Sequence, residues 1–169
     1  DLVEASKSTT GNLTVDLQPT DVNVFLGQTT GEYEERLAAK QLALCLTPAE
    51  GTPRISADGR LLWRVFENLF SNIQKYAQPG TRVYLTCQAT DEQVTIIFRN
   101  ISAEPLNISA DELMERFVRG DASRNTEGSG LGLSIARSLT QLQHGTFALA
   151  VDGDLFKAIL TFPRLRDGE

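Results

Sequence analysis

The chain has 169 residues, 41% of them hydrophobic, and a formal net charge of −6. That length and balance suit one folded domain with one core rather than a disordered segment. No apolar run approaches the ~18 residues of a membrane span, no secretory leader is visible, and no basic stretch offers the footprint of a nucleic-acid binder. Cys45 and Cys87 stand alone in apolar, strand-like segments. They read as buried reduced thiols of a cytosolic domain, not as disulfide or metal ligands.

In chain order, residues 1–8 suggest a fragment of a helix that begins upstream and is broken by Gly11. Residues 13–17 alternate in polarity and predict a strand. Pro19, Thr20 and Asp21 form a stop-and-cap signal. Val22, Phe25, Leu26, Thr29, Tyr33 and Leu37 then recur at helical spacing. Residues 42–46 predict a short apolar strand, and 54–56 a further one. Asp58 can cap the next helix, whose apolar positions are Leu62, Val65, Phe66, Leu69, Ile73 and Tyr76; Gln78, Pro79 and Gly80 end it. Strands over 82–89 and 94–100 follow. Ser109 and Glu112 form a capping box for a short helix through Phe117. Residues 120–130 are polar and glycine-containing, and predict a mobile loop. A last helix over about 130–143 stops at Gly145, expected as its C-terminal glycine. A hairpin over 146–151 and 155–162 turns at Asp152, Gly153 and Asp154. The order predicts a two-layer α/β sandwich, with a mixed, mostly antiparallel sheet and its helices on one face.

Two elements carry chemistry. Gly128, Gly130 and Gly132 alternate with Ser129, Leu131 and Leu133 just before a helix. Glycine admits close approach of a ligand to the main chain, and a helix N-terminus offers unpaired N–H groups with partial positive charge. Together they suit phosphate. On the upstream helix, Asn68, Asn72 and Lys75 stand at i, i+4 and i+7 and line one flank. An amide oxygen is a hard ligand for Mg²⁺, Lys75 is a point charge for phosphate, and Tyr76 is a flat ring for a purine. The plain alternative is a solvated helix flank with incidental asparagines.

These residues resemble the catalytic ATP-binding domain of bacterial sensor histidine kinases, within the GHKL group of Bergerat-fold ATPases. Trp63 to Ala77 (WRVFENLFSNIQKYA) resembles that family's N box, Leu113 to Asp121 (LMERFVRGD) its F box, and Glu127 to Leu133 (EGSGLGL) its second glycine box. The resemblance implies a domain over about 11–165, with 1–10 the tail of a helical dimerisation domain or linker and 166–169 a C-terminal tail. It implies ATP and Mg²⁺ as ligands. Asn72 and Asn68 would hold the metal, Lys75 would face phosphate, and Tyr76 would lie beside adenine. Gly128, Gly130 and Gly132 would close over the phosphates, with Arg119 or Arg124 approaching the γ-phosphate and Phe117 anchoring the loop. The phosphoacceptor histidine would lie on the dimerisation domain. His144, at a helix end, is not it, and Glu67 could assist across the interface or be a plain surface glutamate. The implied partners are that dimerisation domain and a response regulator receiver domain. The whole protein would be a homodimeric, membrane-anchored sensor, with this part cytoplasmic and touching neither nucleic acid nor membrane.

One motif departs from the family. The first glycine box, usually Asp-x-Gly-x-Gly, corresponds here to Asn100, Ile101, Ser102, Ala103 and Glu104. The family's aspartate accepts from the adenine amino group; Asn100 can accept through its side-chain oxygen, but without charge. Three functions stay open: a kinase ATP-binding domain, a degenerate module used for docking or regulation, or another GHKL ATPase. The hydrolases of the group usually carry a glutamate where this chain has Asn68, which disfavours water activation.

Overall fold

The computed structural model describes residues 14–106, 109, 112, 114 and 131–167. Helix α1 spans Val22–Ala38 and starts where the Asp21 carboxylate accepts the Val24 N–H at 3.1 Å, satisfying one of the amides a helix start leaves open. Its buried residues are the six of the predicted stripe. Gln41 ends it in the left-handed region, at φ 62°, while the Leu42 and Gln41 N–H groups reach back to the carbonyls of Leu37 and Ala38. This is the paired closure of a Schellman turn.

Helix α2, Gly59–Tyr76, is capped by Asp58 and buries Leu61, Leu62, Val65, Phe66, Leu69, Phe70 and Ile73. Phe66 and Phe70 meet Phe98 edge-on at 5.0 and 5.4 Å, Phe66 meets Phe25 at 5.0 Å, and Tyr33 stacks on Phe70 at 4.5 Å. These ring pairs add to what burial alone gives and fix α1 and α2 on one face of the sheet. Helix α3 spans Leu131–Leu142.

Strands β1 (Gln18–Asp21) and β3 (Arg54–Ala57) form a small antiparallel ribbon. The main sheet is ordered β2-β4-β5-β7-β6, from β2 (Ala43–Thr47), β4 (Arg82–Ala89), β5 (Gln93–Ile101), β6 (Thr146–Asp152) and β7 (Leu155–Pro163). Among the described residues only β2 and β4 pair in parallel, with β3 and α2 forming the crossover between them; the other pairings are antiparallel. Strand side chains alternate between faces, so Val83, Leu85, Val94, Ile96, Phe98, Ala158 and Leu160 are buried under the helices. The predicted two-layer sandwich is what forms.

Two local expectations are corrected. The first strand is Gln18–Asp21, not 13–17: residues 14–17 are unpaired coil and Leu13 lies outside the described residues. Pairing with β3 decides this, and Pro19 is tolerated because β1 is an edge. At the end of α3 it is His144, at φ 65°, that turns left-handed, not Gly145. The Gly145 N–H bonds the Thr140 carbonyl and the His144 N–H that of Gln141, both at 3.0 Å. Gly145 is needed for space instead, since a Cβ there would stand 2.6 Å from the Phe162 ring and 2.9 Å from Thr140 Cγ2. The Ser109 box holds in part, with the Ser109 hydroxyl accepting the Glu112 N–H at 3.2 Å; most of that helix lies outside the described residues.

Candidate functional site

The exposed flank of α2 carries the predicted polar set. Asn68, Asn72 and Tyr76 are half-buried and Lys75 is exposed, with the Lys75 ammonium 5.7 Å from the centre of the Tyr76 ring. Helix α3 runs beside α2 and brings Gly132 against Asn68: a Cβ built on Gly132 would lie 3.6 Å from Asn68 Oδ1 and 3.8 Å from its Cβ. A side chain at 132 would therefore pack directly on that amide, and glycine leaves its Oδ1 uncovered on that side. Asn68 Nδ2 is buried and has no hydrogen-bond partner among the described residues. Leu133, one residue on, is fully buried and anchors α3 in the core, so its side chain serves packing rather than a ligand.

Asn100 sits at the end of β5 on the helix-facing side, 3% exposed, and its Oδ1 also lacks a partner among the described residues. Backbone bonds stitch this segment to the end of α2. Gln78 N–H donates to the Ile101 carbonyl at 2.7 Å, Ala103 N–H to that of Tyr76 at 2.9 Å, and Ala77 bridges Ser102. Ser102 N–H reaches Asp154 in the β6–β7 turn at 2.8 Å. The glycine-free segment is thus pinned on two sides, and Asn100 is brought to the end of α2 that carries Tyr76. Ile101 is not brought in with it. Strand alternation puts its side chain on the opposite face, where it lines a cleft of about 940 Å³ with Ala43, Arg82 and Tyr84.

Buried polar atoms are nearly always paired in folded proteins, and exceptions call for a ligand or water. A donor on Asn68 and an acceptor on Asn100 are two such exceptions near one helix flank. No group of three His, Cys, Asp or Glu among the described residues could hold a metal. A divalent ion here would rest on amide oxygens and on the oxygens of the ligand itself, which suits Mg²⁺. Arg119, Arg124, Phe117, Gly128, Ser129 and Gly130 lie outside the described residues, as does the side chain of Leu131.

One polar cluster was legible only as a cap. Asp58, 5% exposed, accepts the N–H groups of Arg60 at 3.0 Å, Leu61 at 3.2 Å and Asp16 at 3.0 Å. Its own N–H donates to Gln143 Oε1 at 2.9 Å, and Gln143 Nε2 donates to the Leu139 carbonyl at 2.9 Å. Asp16 and Gln143 are 42 and 85 residues from Asp58, so no local pattern signals them. Glu67 lies close enough to Tyr33 to help raise the tyrosine's pKa, after burial, the larger cause. Both cysteines are free. Cys45 is half-buried, whereas burial pushes the Cys87 thiol up to about 11.

The domain is thus a two-layer α/β sandwich whose paired helices bring Gly132 against the half-buried Asn68. Residues 57–165 match the family of histidine kinase-, DNA gyrase B-, and HSP90-like ATPases, and the chain belongs to that family. It is 30% identical over 155 residues to the probable sensor protein PcoS of Escherichia coli, covering 90% of this chain and 33% of that protein. It is 32% identical over 112 residues to the sensor histidine kinase CusS of Escherichia coli K12, covering 65% of this chain and 23% of that one. The chain thus spans a third or less of these relatives. Among solved structures, full-length ShkA in complex with AMPPNP superposes with a TM-score of 0.81 at 21% identity, over 99% of this chain and 35% of that one. The catalytic domain of the histidine kinase ThkA superposes at 0.74 with 20% identity, over 88% and 96%. The fold is that of a histidine kinase catalytic domain.

Proposed function

We propose that the domain holds Mg·ATP along the α2 flank and presents its γ-phosphate to a histidine on a helical dimerisation domain, from which a response regulator receiver domain takes the phosphoryl group. The whole protein on this reading is a homodimeric, membrane-anchored sensor with this domain in the cytoplasm. Residues 11–165 form the catalytic domain, 1–10 the tail of the preceding one and 166–169 a C-terminal tail. The observation that carries the reading is the pair of buried amide atoms, Asn68 Nδ2 and Asn100 Oδ1, without partners among the described residues, one of them against Gly132.

Phosphoryl transfer asks a protein mainly for positioning and charge stabilisation. Asn72 and Asn68 supply amide oxygens for Mg²⁺, which when bound offsets the charge of the phosphate oxygens. Lys75 supplies a point charge to the phosphates. Tyr76 gives the base a flat surface and Asn100 gives its edge a hydrogen-bond acceptor. The N–H groups of 128–132, which precede and open α3 in the sequence, donate to phosphate oxygens, and Arg119 or Arg124 adds charge there. No base is required within the chain, because a neutral imidazole already offers a lone pair. Asn68 cannot take a proton from water, so hydrolysis by the domain alone is slow. A thermal melt tests the reading: Mg·ADP at ~100 times its Kd stabilises by ~2.7 kcal/mol. No shift at millimolar nucleotide, or rapid ATP hydrolysis by the isolated domain, contradicts it.

A further inference from the structure

We propose that Asn100 widens the choice of base, so that the site takes nucleotides of 6-oxo purines, guanine or hypoxanthine, as well as adenine. The inference rests on the nucleotide reading above and deepens it at one position.

Asn100 is 3% exposed, and its Oδ1 has no hydrogen-bond partner among the described residues. The strand end that carries it is fixed by the bonds of Ile101 to Gln78 and of Ser102 to Asp154. An amide offers an acceptor and a donor side by side. Adenine presents a donor at position 6 next to an acceptor at N1. A 6-oxo purine presents the reverse, an acceptor at position 6 next to a donor at N1. Half a turn of the Asn100 amide matches either edge, and only the hydrogen-bond network decides which way such a group points. An ionised carboxylate at the same place accepts only. It suits the 6-amino group; of a 6-oxo purine it can take only the N1–H, and it leaves the 6-oxo lone pairs facing negative charge with no donor. A buried group left facing a mismatched partner is among the strongest means of rejection, and asparagine at 100 removes it.

Calorimetric titration of the chain with Mg·ADP, Mg·GDP and Mg·IDP, for the parent and for Asn100→Asp, tests this. The parent binds all three within about tenfold of one another, and Asn100→Asp weakens GDP and IDP relative to ADP by about ten- to a hundredfold, the usual scale of one two-point base contact. IDP isolates position 6, because it lacks the 2-amino group of guanine. A parent that prefers ADP over IDP by more than tenfold overturns the inference, as does a folded variant whose ratios do not move. If the variant does not fold, the parent's ADP-to-IDP ratio decides alone. Binding of ADP with rejection of IDP removes this inference and leaves the nucleotide reading standing; failure of all three nucleotides removes both.

Discussion

The two ends of α2 treat buried polar groups in opposite ways. At its N-terminus Asp58 and Gln143 are 5% and 1% exposed, and the cluster closes on itself: Asp58 accepts three backbone N–H groups and Gln143 receives the Asp58 N–H. Further along, Asn68 Nδ2 at mid-helix and Asn100 Oδ1, on β5 beside the helix's C-terminal end, are equally cut off from water and have no partner among the described residues. The cost of burying a polar atom is the same at both ends. The first end meets it within the protein, which makes that cluster an element of stability. The second leaves it open, which is the feature on which the proposed nucleotide site rests.

Breaking the closed end has the largest expected effect. Asp58→Ala strands three backbone N–H groups and removes a helix cap, for a loss of about 3 kcal/mol in urea unfolding. The fraction that still folds keeps its Mg·ADP affinity; a joint loss of affinity blurs the division between the two ends. Gln143→Leu strands the Asp58 N–H and withdraws the donor to the Leu139 carbonyl, and costs about 1–2 kcal/mol by the same measurement. The open end behaves in reverse. Asn68→Leu replaces an unpaired buried amide with an apolar group of similar size, so unfolding shows a change between zero and about 1 kcal/mol of stabilisation, while the Mg·ADP shift falls. Clear destabilisation by that substitution would mean Asn68 has a structural partner.

The smallest effect, absent at neutral pH, belongs to Cys87. Its thiol is raised from 9.0 to about 11 in the fold, chiefly by burial. The folded state therefore keeps a proton that the unfolded state releases, and the stability this gives is whole below pH 9.0 and lost as pH rises toward about 11. Cys87→Ala flattens that part of the pH–stability curve relative to the parent, and thiol reagents at pH 8 modify Cys45 well before Cys87. Simultaneous modification of both contradicts the burial.

The contrast also marks what could be seen in the sequence. Helix α1 was legible because Asp21 and the spacing from Val22 to Leu37 are local signals, and its six buried residues were named correctly. Helix α2 and the β6–β7 hairpin were legible for the same reason. The position of β1 is not legible because alternation in 13–17 is only a local preference, whereas β3 pairs with 18–21 across α1, β2 and a loop. Its residue type suggests a backbone role for Gly145, yet the structure gives the left-handed turn to His144 and uses the glycine to admit Phe162. At the candidate site, helical spacing placed Asn68, Asn72 and Lys75 on one flank. The burial of Asn100, its attachment to the end of α2, and the separation of Ile101 from it depend on sheet pairing that no short pattern encodes.

Titration of Mg·ADP into the parent and into Asn72→Ala, with unfolding measured on both, bears most directly on the open end of α2. Saturable binding by the parent, loss of Mg²⁺-dependent binding in Asn72→Ala and unchanged unfolding is the expected result. Equal affinity in the two proteins, or no heat from either at millimolar nucleotide, contradicts the assignment of this flank.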